Sequence, residues 1–387
     1  MARVLISLGG LARSRAEGSD EDMKRLLVFH QALAPYRIDF FNALAGFFDV
    51  ELMLFDTNLL NQKFNQEHLV KRLRCRVSYL LRGVTWRGRR YRIGAIRKVR
   101  KTNPDIVLGC EYSLVTISLA LYRFFFRRRF KLYTLSDDNL EMFRARSGLK
   151  AFLRWIFIRL LDGIILTNEE TKIAYESITP KGARIRYHVV PILHEEAEIR
   201  AEAKTAVLAG VKWRQKSTHQ FSKVVLFVGR LVVEKGVDWL LTQLGRLGGS
   251  TEIALVIVGS GPLEERLKKT AAQLRMANIF FAGRREGRGV YEMMSMADCL
   301  VLPSWYEPYG AVVGEALQLG TPCLVSDRVG AKDLITERNG AVFRTGDVQD
   351  FSIKLKRVLA LGRSSGSLVS NRLRASVQEW AWEAERK

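Results

Sequence analysis

The four cysteines, Cys75, Cys110, Cys299 and Cys323, are scattered without a C-x-x-C pair or metal-ligand spacing, and three lie in apolar stretches. That argues against a disulfide framework and a cysteine-held metal, and fits a reduced cytosolic compartment. Also missing is the apolar run of ~20 residues that a membrane span requires. The most apolar windows, Leu114 to Phe126 and Ala151 to Leu166, are broken by Arg123, Arg154, Arg159 and Asp162. The first 22 residues have an apolar start, then Arg13, Arg15 and an acidic stretch without a small-residue cleavage site, which argues against a signal peptide. No repeat of solenoid period and no low-complexity block is present. Acidic residues are scarce: 40 against 62 basic ones leave a formal charge of +22, an excess that implies an anionic partner such as nucleic acid or acidic lipid.

What is present is enough for two cores. At 387 residues, 48% of them hydrophobic, the chain is too long for one ordinary domain. From Lys24 short apolar runs alternate with longer amphipathic stretches, a βαβ rhythm that implies parallel sheet. Strands are expected at Leu26 to Phe29, Val50 to Phe55, Ile106 to Leu108, Lys131 to Leu135, Gly163 to Leu166 and Tyr187 to Val190. A second series begins at Val224 to Val228 and continues at Ile253 to Val258, Ile279 to Phe281, Cys299 to Leu302 and Cys323 to Val325. Between the two, His194 to Ser222 turns polar. The expected organisation is a tail over 1–23, a first Rossmann-like domain over 24–200, a linker over 201–222, a second Rossmann-like domain over 223–365 and a returning helix over 366–387. Two doubly wound α/β domains would then face each other, with ligands at the carboxyl ends of their strands.

Three segments after strands carry candidate chemistry. Gly229-Arg230-Leu231-Val232-Val233-Glu234-Lys235-Gly236 leads into a helical pattern, so the fork of Arg230 and the point charge of Lys235 would meet free N–H groups at a helix start and neutralise a diphosphate. Alone, those charges also fit a solvated loop. Val258-Gly259-Ser260-Gly261-Pro262 closes a strand with glycines and opens a helix; alone, it equally fits a tight turn. The third segment runs from Leu302 to Ala316 and contains Glu307-Pro308-Tyr309-Gly310-Ala311-Val312-Val313-Gly314-Glu315. A helix starting at Tyr309-Gly310 leaves Glu307 on the loop and Glu315 inside the helix, and both carboxylates are expected to face one pocket. The amides of Tyr309, Gly310, Ala311 and Val312 would point at the same place.

In this order and spacing the three segments resemble the family 4 glycosyltransferases, with their G-R-L-x-x-E-K-G loop, G-x-G-P turn and E-P-F/Y-G segment ending in E-A. The resemblance spans about ninety residues, Gly229 to Ala316. It implies a GT-B fold, two Rossmann-like domains across a cleft, and sugar transfer from a nucleotide-diphosphate donor with retention at the anomeric carbon. It further implies that Arg230 and Lys235 hold the diphosphate, Glu315 the ribose and Glu307 the transferred sugar, with Gly259, Gly261 and the Tyr309 to Val312 amides lining the donor. No metal or other cofactor is then expected. Adjacent acids at Asp137-Asp138 are poor evidence for a cation.

The first half departs from the family pattern. His30-Gln31-Ala32-Leu33-Ala34-Pro35-Tyr36-Arg37 stands where a glycine pair is common, and Ser136-Asp137-Asp138-Asn139 where a histidine is common. His30, Arg37, Ser136 and Asp137 are candidates for sugar or acceptor contact. A lone Arg in a first helical turn otherwise reads as a solvated charge.

From Lys71 to Lys101 there are thirteen Lys and Arg and no Asp or Glu, with Tyr79, Trp86 and Tyr91 interleaved; a second cluster runs from Arg123 to Lys131. Such surfaces suit an anionic bilayer. The expected partners are therefore a UDP- or GDP-sugar, a lipid-linked or lipopolysaccharide-type glycan acceptor and the cytoplasmic face of a membrane. The same charge also fits a nucleic-acid groove, but that reading leaves Glu307 and Glu315 without a role. A nucleotide-sugar epimerase, a phosphorylase and a non-catalytic relative remain open.

Overall fold

The computed structural model describes residues 23–58, 64–86, 89–145, 148–180, 182–194, 196–246, 252–273, 277–362 and 372–385. The expected tail lies outside them except for Met23.

The first sheet collects β1 (Arg25–His30), β2 (Asp49–Leu54), β3 (Arg76–Tyr79), β6 (Ile106–Cys110), β7 (Lys131–Leu135), β8 (Gly163–Leu166) and β9 (Arg186–Val189) in the order β3-β2-β1-β6-β7-β8-β9. All its pairings are parallel. The antiparallel hairpin of β4 (Gly83–Trp86) and β5 (Arg89–Arg92) stands apart. The second sheet has β10 (Lys223–Val228), β11 (Ile253–Val258), β12 (Ile279–Gly283), β13 (Cys299–Leu302), β14 (Cys323–Ser326) and β15 (Gly340–Phe343) in the parallel order β12-β11-β10-β13-β14-β15. Central strands are covered by helices on both faces, so they read as unbroken apolar runs: Leu26 to Phe29 and Val224 to Val228 are buried at every position. In each sheet the strand order reverses beside its first strand, and there the crossover helices diverge to leave a crevice.

Two features differ from the sequence expectation. The segment read as a linker, 201–222, is mostly a helix, Glu196–Ser217, packed on the helix Arg288–Met296. Arg214 fastens it by donating to the Met296 carbonyl at 2.9 Å and pairing with Asp298 at 3.0 Å. A Cβ at Gly210 would lie 2.3 Å from the Glu292 carbonyl oxygen, so the two backbones touch there. Exposed Lys212, Gln215 and Lys216 on the helix, not an extended conformation, gave this segment its linker-like composition.

The second difference concerns the basic run. It contains no acid, yet acids from neighbouring strands and loops reach it: Arg76 pairs with Asp49 at 2.8 Å, Arg92 with Asp56 at 2.6 Å, and Lys98 with Glu51. Part of the charge that looked free therefore braces the first domain.

Near its end the chain returns to the first sheet. The helix Arg372–Glu385 packs on the helix Pro35–Ala45, with Trp380 fully buried between Phe48 and Tyr133. All four cysteines are free, and burial pushes the thiols of Cys110, Cys299 and Cys323 up, which keeps them protonated.

Candidate active site

A cavity of about 500 Å³ opens between the domains at the carboxyl ends of β10, β11, β12 and β13. Pro35 and Tyr36, which follow β1, close it from the first domain; Arg230, Gly259, Ser260, Arg284, Ala311, Val312 and Glu315 form much of its wall from the second. A volume of this size suits a ligand of nucleotide dimensions.

The three motif loops are stitched to one another by backbone. Gly229 donates to the Val258 carbonyl at 3.0 Å and Leu231 to the Ser260 carbonyl at 3.0 Å, joining the first two. Gly259 has φ +141, and a Cβ there would fall 1.9 Å from the Gly229 carbonyl oxygen, so both conformation and space demand glycine. Trp305 and Tyr306 donate their amides to the Glu234 carbonyl at 2.9 and 3.2 Å, joining the first loop to the third. Gly236 takes φ +63 with its α-carbon against the Pro303 carbonyl. This stitching brings Lys235 onto Glu307, and the two form an ion pair with side chains only 16% and 10% exposed.

The candidates divide accordingly. Arg230, Gly259, Ala311, Val312 and Glu315 line the cavity; Lys235, Glu307, Gly261, Tyr309 and Gly310 do not. The expectation that both glutamates face one pocket is corrected: Glu315 does, whereas Glu307 turns to Lys235 because the stitched loops bring that ammonium to it. The helix begins at Ala311, one to two residues later than expected, with Gly310 as its cap at φ +91. Tyr309 is buried, which pushes its phenol up. Gly261 is fixed by packing, since a Cβ there would lie 2.5 Å from the Leu231 carbonyl oxygen.

In the first domain, Arg37 is not the solvated charge that its position suggested. It is 1% exposed and ion-paired with Asp137. Its Cζ also lies 5.7 Å from the Phe40 ring centre. His30 is pushed down to about 4, chiefly by burial and also by the Arg37 charge, so it is neutral near pH 7, with Nδ1 3.1 Å from the Ala32 carbonyl. Ser136 is buried and accepts from the Asp138 amide, while Asp138 accepts from the Tyr175 hydroxyl at 2.6 Å. None of His30, Arg37, Ser136 and Asp137 lines the cavity itself.

Residues 211–373 match the family model described as glycosyl transferases group 1. Over that stretch the chain is similar to the group 1 glycosyl transferases. An uncharacterized glycosyltransferase of Methanocaldococcus jannaschii is 31% identical over 163 residues, 42% of this chain and 42% of that protein. A GDP-mannose-dependent alpha-mannosyltransferase of Mycobacterium tuberculosis is 37% identical over 127 residues, 33% of this chain and 31% of that protein. These matches span less than half of each relative's own length, and the first domain lies outside the family match. Structures cover the rest at the level of fold: Anabaena HepE in complex with UDP and glucose aligns with TM-score 0.67 and 16% identity over 93% of this chain and 98% of that one. The lipopolysaccharide outer core galactosyltransferase WaaB aligns at 0.66 and 18% over 94% and 100%. The fold is GT-B.

Sequence reasoning passed over Arg284, although it follows a strand and so met the rule applied to the other loops. It named His194 only as part of a polar boundary. His194 in fact lies on the cavity wall, with Nδ1 2.6 Å from Asp39 Oδ2 and Nε2 3.1 Å from Glu315 Oε1. Burial alone would lower its pKa, but the hydrogen bonds and charges of Asp39 and Glu315 overcome it and push the ring up to about 10. The folded-state value lies above the ordinary 6.5, so the stabilisation is complete below about pH 6.5 and is lost as pH rises through about 10. The unfolding free energy of wild type minus that of His194→Asn, from urea melts, is therefore expected to be level below that window and to shrink across it. A difference unchanged from pH 6.5 to 10 would overturn the assignment.

Proposed function

We propose that the chain is a retaining glycosyltransferase that moves a hexose-type sugar from a UDP- or GDP-linked donor to a lipid-linked or lipopolysaccharide-type acceptor at the cytoplasmic face of a membrane. The observation that carries the donor half is the cavity at the switch point of the second sheet, where Arg230, Glu315 and the first turn of the helix Ala311–Gln318 converge. Arg230 would hold the diphosphate, and Glu315 would accept the ribose hydroxyls. Lys235 keeps two N–H donors beyond the one engaged by Glu307, and these would serve the phosphate that departs. Glu307 retains acceptor capacity for a sugar hydroxyl. In front-face attack the departing phosphate oxygen would take the acceptor proton while Arg230 and Lys235 balance its growing charge, so no metal or cofactor is required. Two relatives together favour neither base: one is GDP-mannose-dependent and another was solved with UDP and glucose.

The deciding experiment is release of nucleoside diphosphate from a panel of UDP-, GDP- and ADP-sugars. Slow hydrolysis of one donor by wild type, absent in Glu307→Ala, is expected. Silence across the panel with no thermal shift from any nucleotide would favour a non-catalytic or nucleic-acid role.

For the acceptor half, support comes from an exposed aromatic and cationic surface on the first domain. Phe124, Phe125 and Phe126 are 63%, 71% and 67% exposed and run into Arg127, Arg128 and Arg129. The neighbouring helix Ala95–Thr102 presents Arg97, Arg100 and Lys101 to solvent. Rings settle at headgroup depth, and cations near an anionic leaflet contribute about 1 kcal/mol each. No described helix is long and apolar enough to cross a membrane. Sedimentation with phosphatidylglycerol-containing vesicles, lost with neutral phosphatidylcholine vesicles and in Phe124→Ser/Phe125→Ser, is expected. Binding indifferent to lipid charge would refute the membrane partner.

A further inference from the structure

We propose that His194 is a positioning residue that fixes the Glu315 carboxylate against the ribose of the bound nucleotide, as the middle member of a relay Asp39–His194–Glu315 joining both domains. This deepens the donor-site reading above and rests on it.

The relay draws on three separate parts of the chain. Asp39 sits on the helix Pro35–Ala45 of the first domain and is fully buried. His194 lies on the segment between β9 and the helix Glu196–Ser217, where the chain passes from one domain to the other. Glu315 belongs to the helix Ala311–Gln318 of the second domain. That helix grips His194 twice, because Gln318 Nε2 also donates to the His194 carbonyl at 2.7 Å. Close by, a Cβ on Gly314 would lie 2.5 Å from Leu193 Cδ2, so the connecting segment is pressed against the helix.

The chemistry of the three groups fixes their states. Both ring nitrogens of His194 face carboxylate oxygens, and both can donate only as imidazolium. Asp39 Oδ1 has no hydrogen-bond partner among the described residues, so the ring is the one group that satisfies this buried acid. A buried carboxylate with half its acceptors unmet is costly for a structural contact alone. It serves to hold the imidazolium, and the imidazolium in turn holds Oε1 of Glu315. That leaves the remainder of the Glu315 carboxylate, which lines the cavity, to accept from ribose. The other charged groups on the cavity wall, Arg72, Arg230, Arg284, Arg285 and Glu286, are mostly cationic, so a diphosphate entering there meets a wall whose positive charge outweighs that of Glu315 and its partners.

A mere clamp between the domains would weaken every ligand of the cleft alike. A positioning role is felt only through the ribose hydroxyls. The test is calorimetric titration of wild type, His194→Asn and His194→Gln with UDP or GDP, whichever binds, and with its 2′,3′-dideoxy counterpart. Hydrogen bonds to a fixed carboxylate predict that wild type prefers the parent nucleotide by about 10- to 100-fold. His194→Asn, whose amide can reach Asp39 but falls short of Glu315, is expected to bind both nucleotides with the weaker affinity, so that the preference collapses. His194→Gln, long enough to donate to Glu315, is expected to restore part of it. Thermal melts confirm that each variant is folded. Equal weakening of both nucleotides, or an intact preference in folded His194→Asn, would reduce the histidine to a clamp and overturn the proposal. If wild type binds the parent and its dideoxy form equally, ribose contact itself is absent and the proposal falls while the nucleotide site stands. If no nucleotide binds wild type, the donor-site reading falls first.

Discussion

Replacing Lys235 with alanine is expected to lower donor turnover by about 10²- to 10³-fold, the loss typical when one preorganised charge-stabilising donor is removed. The same change is expected to cost stability. Lys235 and Glu307 face each other with side chains 16% and 10% exposed, so removing the ammonium leaves a largely buried carboxylate without its partner. Breaking a buried pair from one side costs roughly 3–5 kcal/mol, whereas removing both charges is close to neutral. The double variant Lys235→Ala/Glu307→Gln should therefore regain most of the lost stability and none of the lost activity. Urea melts read the first quantity and release of nucleoside diphosphate the second. If the double variant recovers turnover along with stability, the pair is a brace and not part of the donor site. Arg230 supplies the contrast: it is exposed at the cavity wall, so Arg230→Ala should depress turnover with little change in the melt.

The sequence declares those charges because they sit in loops that follow strands buried on both faces. Val224 to Val228 and Ile253 to Val258 read as strands because helices cover them on either side, and the glycine-rich segments after them follow from the rule that sheets of this kind bind at their carboxyl ends. Two of the four edge strands gave no comparable pattern. Arg76–Tyr79 is R-V-S-Y, half polar because one edge faces solvent, and Gly340–Phe343 is four residues long and opens with glycine. The helix Glu196–Ser217 was passed over for a related reason: exposed Lys212, Gln215 and Lys216 make its second half read as a connection, and the carbonyl that rests against Gly210 belongs to a helix some eighty residues away.

His194 marks the limit of local reading more sharply. Its partners lie 155 and 121 residues distant, and nothing within its own stretch distinguishes it from a surface histidine. Arg37 was misjudged in the same way, since the acid that neutralises it is 100 residues on. Spacing can show which residues share a helix face or follow a strand. It cannot show which buried charge closes on which across a domain boundary, because that depends on how two independently wound sheets come to face each other.

Two tryptophans near the end of the chain put the returning helix to the test. Leu373, Val377, Trp380, Ala381 and Ala384 are buried along the helix Arg372–Glu385, at the spacing that brings side chains onto one face, and Trp382 is 61% exposed. The last turn is held from the first domain: Lys24 Nζ donates to the Glu385 carbonyl at 2.8 Å and Lys131 Nζ to the Ala384 carbonyl at 2.8 Å, cations placed where the helix dipole is negative. Trp380 fills the space between Phe48, at 5.6 Å between ring centres, and Tyr133, at 5.5 Å and nearly perpendicular. Truncating a fully buried Trp to Ala is expected to cost about 3–5 kcal/mol, and Trp382→Ala less than about 0.5 kcal/mol. The loss should fall on the first domain, because the wall that Trp380 leaves empty belongs to β7 and to the turn before β2. Hydrogen exchange followed by mass spectrometry separates the two cases. Faster exchange in β1, β2 and β7 of Trp380→Ala, with β10 to β14 unchanged, would show that the first sheet depends on residues placed after the second. Equal acceleration in both sheets would mean instead that the helix stabilises the junction between the domains.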